Sequence, residues 1–329
     1  MRLPISPPAL KQKGPGADST CCHPAQRCSY SARRYFAMHR PAPLNAAAAP
    51  ALTHYENFPV ASWLCPPALR PAIAAIYHFA RTADDLADEG PADPDTRLRE
   101  LAAYRSDLLA CAQGPASSAR WPQVFTPLAD ILSSHALPLH LMTDLLDAFE
   151  QDVRMTAVQA RYASDADLLD YCTRSANPVG RLLLHLYRID DPLSLQQSDQ
   201  ICTALQLINF WQDLSVDIAR QRWYPSQAAM ARFGVSEADL HCTSQSPQAR
   251  QLVQAYAVQA RTLMLQGAPL ATRMAGRAGW ELRLVVQGGL RILDKIERLH
   301  YATWQTRPRL HASDAPLMLW RALRMGAPA

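Results

Sequence analysis

Two distant segments of the chain each place a pair of aspartates, four positions apart, inside an otherwise apolar stretch. The pairs are Asp84/Asp88 and Asp213/Asp217. Because residues four apart lie on one face of a helix, each pair forms a short acidic stripe on an otherwise apolar helix. A carboxylate is rarely buried unless a cation or a partner neutralises it. The sequence therefore predicts two helices that face each other across a cavity and direct their carboxylates into it.

Polar side chains continue both acidic stripes towards the start of each helix. They are Tyr77 and Arg81 on the first helix and Gln206 and Asn209 on the second. Carboxylate and amide oxygens suit a hard cation. Mg²⁺ fits best, because it binds one or two carboxylates and completes its shell with water and substrate phosphate oxygens. The alternative is that the aspartates form surface ion pairs with arginines one turn away. The recurrence of the pattern on two helices favours the magnesium site.

Helical periodicity runs through most of the chain, and no stretch shows the period-two alternation of a half-buried strand. Predicted helices cover residues 71–88, 95–111, 123–134, 198–219, 227–233, 246–264, 268–275 and 280–299, and another begins near residue 138. A further helix begins at a capping box formed by Ser164 and Asp167, and Pro178 should kink it. The fold class is therefore predicted to be all-α.

Two other polar clusters accompany the acidic helices. They are Glu150, Asp152 and Arg154 at the end of the fourth helix, and Arg220, Arg222 and Tyr224 just after the second acidic pair. The first cluster is predicted to face the cavity, and the second to close over an anionic ligand. The second cluster could instead be an ordinary solvated helix end.

The two ends of the chain differ from the helical region between them. Residues 1–50 are rich in proline and alanine and lack periodicity, so we interpret them as a disordered leader before an ordered domain over residues 51–329. Residues 316–325 are amphipathic and basic, and either lie on a membrane surface or form a last core helix. No apolar run reaches the roughly 18 residues of a membrane span, and no signal-peptide core is found. We expect a cytoplasmic protein, at most peripheral at the inner face of the membrane.

Charge and motif content argue against several classes of protein. The net charge of +4 is spread too evenly to indicate a nucleic-acid partner. The eight cysteines lack metal-ligand spacing and are interpreted as free thiols. The chain contains no GxGxxG motif after a strand, no P-loop and no HExxH or GxSxG motif.

Four motifs occur in a specific order and spacing. They are R-x-x-D-D-x-x-D at Arg81–Asp88, Y-C-x-x-x-A-x-P-V-G at Tyr171–Gly180, Q-x-x-N-x-x-x-D-x-x-x-D at Gln206–Asp217 and the basic segment Arg220–Tyr224. Together they make residues 51–300 resemble the squalene/phytoene synthase family. The resemblance implies one all-α domain with a central cavity, whose mouth carries both acidic motifs. It also implies about three Mg²⁺ ions that bind the diphosphate of an isoprenoid substrate.

The resemblance also implies roles for individual residues. The implied metal ligands are Asp84, Asp88, Asn209, Asp213 and Asp217, with Gln206 assisting. The implied diphosphate contacts are Arg81 and Arg222 with Tyr224 beside them, and Tyr77 is assigned to substrate binding. Tyr171 is implied to face the reacting carbons, and His54, Asn57 and Phe58 to line a substrate subsite. Asn57 replaces a serine of the family pattern. Gln212, also assigned to substrate binding, stands where many members have arginine, which removes one cation from the diphosphate site.

With these replacements at Asn57 and Gln212, the chain resembles one branch of the family. Its members ionise presqualene diphosphate, supplied by a sister synthase, and capture the rearranged cation with water to give an alcohol and diphosphate. That reaction uses Mg²⁺ and no NADPH, and we expect Asn57 and Gln212 to hold the water. Phe58, Tyr171, Phe210 and Trp211 are candidates for walls that stabilise the cation.

Two alternative functions stay open at this point. One is head-to-head condensation of two farnesyl or geranylgeranyl diphosphates. The other, from a different class, is a non-catalytic relative that acts as an assembly factor for a respiratory complex. Such relatives lose metal ligands, and the four intact motif aspartates argue against this second alternative.

Overall fold

Helices are the only regular secondary structure in the part of the chain that the structure describes, which comprises residues 64–114, 118–220, 222–240 and 244–326 of a computed structural model. In chain order they are α1 (Arg70–Asp88), α2 (Pro94–Gln113), α3 (Pro122–His135), α4 (Leu139–Ala157), α5 (Asp165–Ser175), α6 (Asn177–Leu186), α7 (Pro192–Gln212), α8 (Leu214–Ala219), α9 (Gln227–Phe233), α10 (Glu237–Leu240), α11 (Pro247–Gly267), α12 (Pro269–Arg273), α13 (Gly276–Arg298) and α14 (Ala315–Arg324). The all-α prediction is confirmed. Among these described helices, none combines the length and apolar content that a membrane span requires.

Local sequence signals set most of the helix starts. Proline occupies the first turn of α1, α2, α3, α7 and α11, where no backbone N–H is needed. Asp93, Asp191 and Ser246 cap α2, α7 and α11 by accepting a hydrogen bond from the backbone N–H three residues later. The predicted capping box of α5 is confirmed, because the Ser164 hydroxyl accepts from Asp167 N and the Asp167 carboxylate accepts from Ser164 N.

Two of the predicted helices are divided in the structure. The kink expected at Pro178 is a break at Ala176 (φ −120°, ψ −49°), so that α5 ends there and α6 begins with proline in its first turn. The second acidic helix begins earlier than predicted, at Pro192, because an aspartate caps it there. It is then interrupted at Asp213 (φ −98°, ψ 7°), and α8 follows.

The buried side chains form two hydrophobic clusters. The first joins α1, α2 and α3 with parts of α4 and α6, and the second joins α5, α7, α9, α11 and α13. Helix α4 belongs to both, since Phe149 packs in the first cluster and Ala148 in the second. The two acidic motifs therefore stand on helices of different clusters, α1 and α7, with α4 in contact with both clusters.

Some of the sequence predictions fall outside the described residues. They concern the leader over residues 1–50 and the substrate-subsite candidates His54, Asn57 and Phe58.

Candidate active site

The first acidic pair lies in the last two turns of α1. Asp84 is buried, and Arg81 binds its carboxylate at 3.2 Å. The same guanidinium also binds Asp85 at 2.5 Å and Glu89 at 2.9 Å. Burial raises the pKa of Asp84 to about 7, although Arg81 opposes the shift. A buried carboxylate with a raised pKa is incompletely neutralised by its surroundings, which is typical of a site that receives a further cation.

The second acidic pair lies where α7 gives way to α8. Asp213 is the junction residue, and its carbonyl accepts a hydrogen bond from Asp217 N at 2.9 Å. Both aspartates are buried. Two nitrogens of Arg307 bind the Asp213 carboxylate, with Nη2 3.2 Å from Oδ2. Sequence reasoning does not identify Arg307, because it follows α13 in a segment without helical periodicity.

Arg222 connects the two acidic motifs. Its backbone N–H donates to the Asp217 carbonyl at 2.9 Å. Its guanidinium binds both carboxylate oxygens of Asp88, with Nη1 3.1 Å from Oδ2. The structure therefore brings the end of α1 and the end of α8 to one place, and a predicted diphosphate contact joins them.

A cleft of about 300 Å³ opens beside this junction. Its lining comprises Asp84, Ala87, Asp88, Ala92, Pro94, Arg97, Phe149, Asp152, Val153, Thr156, Ala157, Arg222 and Tyr224. Within the predicted polar cluster on α4, Asp152 is part of this lining. Glu150 instead pairs with Arg105 at 2.9 Å and with Arg154 at 2.8 Å.

An aromatic wall stands behind the cleft. Tyr171 is fully buried on α5, and its hydroxyl donates to Asp152 at 2.7 Å. Burial, and then the Asp152 carboxylate, raise the pKa of Tyr171 well above its ordinary value, so the phenol stays protonated. The ring centroid of Tyr171 lies 5.9 Å from Tyr162 and 6.3 Å from Phe210, and Phe210 stacks on Tyr224 at 3.7 Å. We call these four aromatic residues the aromatic wall.

The amide side chains of α7 differ in their surroundings. Gln206 is buried, and its Nε2 has no hydrogen-bond acceptor among the described residues. Such a donor lowers stability unless a ligand or a water satisfies it. Gln212 is also buried, but its Nε2 donates to the Pro308 carbonyl at 2.7 Å. Gln212 therefore holds the segment that carries Arg307 and is not part of the cleft lining. Asn209 is partly buried, and its carbonyl accepts from Asp213 N at 2.9 Å.

A second, apolar cavity lies among α1, α6, α7, α12 and α13. It is lined by Ile73, Gly180, Leu183, Leu184, Tyr187, Ser198, Ile201, Cys202, Leu205, Leu270, Met274, Ala278, Glu281, Leu282 and Val285. Gly180 lets α6 approach α7 closely, because a Cβ there would lie 2.4 Å from Ser198 Oγ and 2.5 Å from Cys202 Sγ. On α1, Ile73 lines this cavity and Asp84 lines the cleft, about 16 Å further along the helix. The two spaces share no lining residue.

Of the residues named from the sequence, Asp84, Asp88, Asp152, Arg222 and Tyr224 line the cleft, whereas Asp213 and Asp217 do not. Tyr77, Trp211 and Arg220 also lie outside the lining. Tyr77 is partly buried on α1, its ring edge-on to that of His78 at 5.7 Å, and burial raises its pKa. Trp211 is fully buried and stacks on Tyr256 at 4.0 Å. It belongs to the second hydrophobic cluster and not to the aromatic wall. Arg220 is exposed at the end of α8.

The donors at the two motifs fit a hard cation by their chemistry. They are the side-chain oxygens of Asp84, Asp88, Asn209, Asp213 and Asp217, the ligand type that Mg²⁺ prefers. Within the described ranges, no three His, Cys, Asp or Glu side chains form a group that could share a metal ion. Three of the carboxylates are instead each bound by one arginine, as described above. The arginines thus already place positive charge beside the carboxylates that would bind Mg²⁺. The Mg²⁺ site stays a prediction.

Comparison with known proteins identifies the family. A sequence profile of the squalene/phytoene synthase family matches residues 52–314. A hydroxysqualene synthase from Sinorhizobium fredii is 32% identical over 270 residues, which span 82% of this chain and 87% of that protein. A hydroxysqualene synthase from Zymomonas mobilis is 36% identical over 212 residues, or 64% and 67% of the two chains. The crystal structure of squalene synthase HpnC from Alicyclobacillus acidocaldarius aligns with a TM-score of 0.68 at 34% identity, covering 76% of this chain and 90% of that one. The chain belongs to the squalene/phytoene synthase family.

Proposed function

We propose that this chain is a hydroxysqualene synthase. It would ionise presqualene diphosphate and capture the rearranged cation with water, releasing hydroxysqualene and diphosphate. The observation that carries the proposal is the meeting of the two acidic motifs at Arg222, beside a cleft backed by the aromatic wall. Relatives named hydroxysqualene synthase, at 32% to 36% identity, support this reaction over the others of the family.

Arginines already gathered at the acidic motifs would neutralise the leaving diphosphate. Arg81, Arg222 and Arg307 each bind a motif aspartate, so each could turn to a phosphate oxygen over a short distance. Guanidinium groups bind phosphate through two parallel hydrogen bonds. Mg²⁺ held by Asp84, Asp88, Asn209, Asp213 and Asp217 would supply Lewis-acid stabilisation of the leaving oxygens. Preorganised positive charge makes C–O heterolysis feasible without a protein nucleophile.

The aromatic wall would stabilise and steer the carbocation. Ring faces carry negative electrostatic potential and attract a cation, most strongly where water is excluded. The raised pKa of Tyr171 keeps its phenol neutral, and a neutral phenol is a poor nucleophile. The hydrogen bond to Asp152 also fixes the hydroxyl group. The wall, which reaches the cleft through Tyr224, would therefore stabilise the cation without being alkylated by it.

Formation of the alcohol requires one positioned water. The C–O bond to the diphosphate breaks with its electron pair on the leaving oxygen. The water oxygen then forms a new bond to the rearranged cation, and its surplus proton passes to the released diphosphate or to solvent. Gln206, whose buried Nε2 has no acceptor among the described residues, would donate a hydrogen bond to that water.

The test is to incubate the full chain with Mg²⁺ and presqualene diphosphate, without NADPH, in water enriched in oxygen-18. Labelled hydroxysqualene and free diphosphate are expected. Release of diphosphate without label in the alcohol would contradict water capture. Asp84→Asn and Asp213→Asn should each lower the rate by about 100-fold or more, since each removes a carboxylate that would hold the Mg²⁺ ions neutralising the leaving diphosphate. Asp170→Asn, which alters an exposed aspartate, is the matched control.

Parallel incubations separate the other functions. Consumption of farnesyl or geranylgeranyl diphosphate to a condensed product would assign the chain to head-to-head condensation. Formation of squalene only when NADPH is added would indicate hydride capture. Failure to consume any of these substrates would favour the alternative that the chain is a non-catalytic relative.

A further inference from the structure

Helix α14 is held to the rest of the chain by one face and exposes the other. Ala322 is its buried residue. Leu319, Trp320 and Leu323 share another face, where Leu319 and Trp320 are each 50% exposed and Leu323 is 66% exposed. Large apolar side chains that are exposed together mark a contact surface more often than isolated ones do.

The apolar surface continues onto neighbouring helices. Leu265 of α11 lines a shallow groove together with Trp320. Trp280 of α13 lies under Arg283, whose guanidinium donates to the Ala322 carbonyl at 3.4 Å. The side chains of Leu265 and Trp280 are both exposed. We call the set Leu265, Trp280, Leu319, Trp320 and Leu323 the α14 patch.

Both exposed tryptophans of the α14 patch carry an arginine over the ring. Arg324 lies 4.2 Å from the ring centroid of Trp320, and Arg283 lies 4.8 Å from that of Trp280. This contact keeps each guanidinium at the level of an indole. In the headgroup layer of a bilayer, indole rings sit at the boundary with the acyl chains and guanidinium groups meet lipid phosphates.

The charge around the α14 patch is positive. Helix α14 contains Arg321 and Arg324 and no acidic residue. Asp294, in the groove, is bound by Arg261 at 3.1 Å and by Arg321 at 2.7 Å. Among the described residues, no carboxylate lies within ion-pair distance of Arg324. An apolar centre with a basic margin matches an anionic lipid surface and would repel a basic one.

We propose that the α14 patch docks this protein on an anionic lipid bilayer, with α14 in the plane of the headgroup layer. Docking does not depend on the proposed reaction.

Vesicle flotation with the full chain tests the proposal. The protein should float with phosphatidylcholine vesicles that contain phosphatidylglycerol, and less with phosphatidylcholine alone. The triple substitution Leu319→Ser, Trp320→Ser and Leu323→Ser should lower the bound fraction about tenfold or more, because it removes most of the apolar area that enters the bilayer. Arg324→Glu should remove most of the preference for the anionic vesicles.

Leu109→Ser is the matched control. Leu109 is 40% exposed on α2, which packs mainly against α1, α3 and α4. This variant should float like the unaltered protein, and all variants should show the same thermal melting. The proposal is overturned if the triple variant floats undiminished, or if the unaltered protein ignores the phosphatidylglycerol content. It is also overturned if the unaltered protein does not float, and conversion of a dimer into a monomer by the triple substitution would then assign the α14 patch to a second copy of the chain.

Discussion

The hydrogen bond between Tyr171 and Asp152 lies inside the aromatic wall, yet Asp152 also lines the cleft. We predict that Tyr171→Phe lowers the free energy of unfolding by about 1–3 kcal/mol, because the fold loses the hydrogen bond from a fully buried phenol to a carboxylate. Urea denaturation measures this change. Tyr162→Phe is the matched control. The Tyr162 hydroxyl accepts a long hydrogen bond of 3.5 Å from Gln151 Nε2, so its loss should lower stability little. Equal decreases in the free energy of unfolding would show that the hydrogen bond to Asp152 stabilises the fold no more than the contact of Tyr162 does.

A second prediction at this scale concerns Gln212, which stands where many family members have arginine. Its amide holds the Pro308 carbonyl, and the adjacent Arg307 binds Asp213. We predict that Gln212→Leu frees the Arg307 segment, weakening the binding of diphosphate with Mg²⁺ about tenfold and lowering stability by about 1 kcal/mol. Calorimetric titration measures the affinity.

The control for this substitution is Gln200→Leu on the same helix. Gln200 is paired through an exposed contact with Gln266 at 3.5 Å, so its loss should change neither quantity. Unchanged diphosphate affinity in Gln212→Leu, with the expected loss of stability, would mean that Arg307 is held in place without this amide.

At the scale of whole elements, Asp314 attaches α14 to α13. Its buried carboxylate binds Arg291 at 2.7 Å and Lys295 at 2.6 Å, and accepts from His311 N at 2.8 Å. Burial opposes ionisation, but these partners outweigh it and hold the pKa of Asp314 well below its ordinary value. The ionised carboxylate therefore stabilises the fold above the pKa of the unfolded chain. This stabilisation is lost as the pH falls towards the lower pKa of the folded protein.

We predict that Asp314→Asn lowers the free energy of unfolding at pH 7 by about 3 kcal/mol, because the buried Arg291 and the partly buried Lys295 both lose this carboxylate. The difference from the unaltered protein should stay constant down to about pH 4 and shrink below it. Denaturation series at several pH values measure this. Asp170→Asn, at an exposed pair with Arg174, should change stability by less than about 0.5 kcal/mol. A difference that grows on acidification would contradict the assignment.

The same scale shows what sequence can and cannot predict here. Helices with clear apolar periodicity and local caps, such as α9 and the capping box at Ser164, follow from residues close in the chain. The break at Asp213 does not, because the residues around it have ordinary helical character. The binding of Asp213 by Arg307, 94 residues later, depends on the packing of α7 beside the segment after α13. Motif spacing indicated the aspartates and placed Arg81 one turn from Asp84, but only the fold pairs Asp88 with Arg222 and Asp213 with Arg307.

At the scale of the whole molecule, the two acidic motifs belong to two different hydrophobic clusters. Helix α1 packs in one cluster and α7 in the other, and α4 contacts both. In the described structure Arg222 links the motifs. A ligand that binds both motifs at once would therefore cross-link two separately packed halves of the domain. Its effect on stability would depend on both motifs together and not on either one alone.

This argument gives a last prediction. Inorganic diphosphate with Mg²⁺, at about 100 times its dissociation constant, should stabilise the protein by about 2.7 kcal/mol and raise the melting temperature by roughly 5–10 °C. Asp84→Asn and Asp213→Asn should each abolish most of that rise, although they lie on different clusters. Mg²⁺ alone, diphosphate with a chelator, and Mg²⁺ with sulfate are the controls, and each should give a smaller rise. If one of the two variants keeps the full rise, the ligand binds a single motif, and the two acidic helices do not form one site.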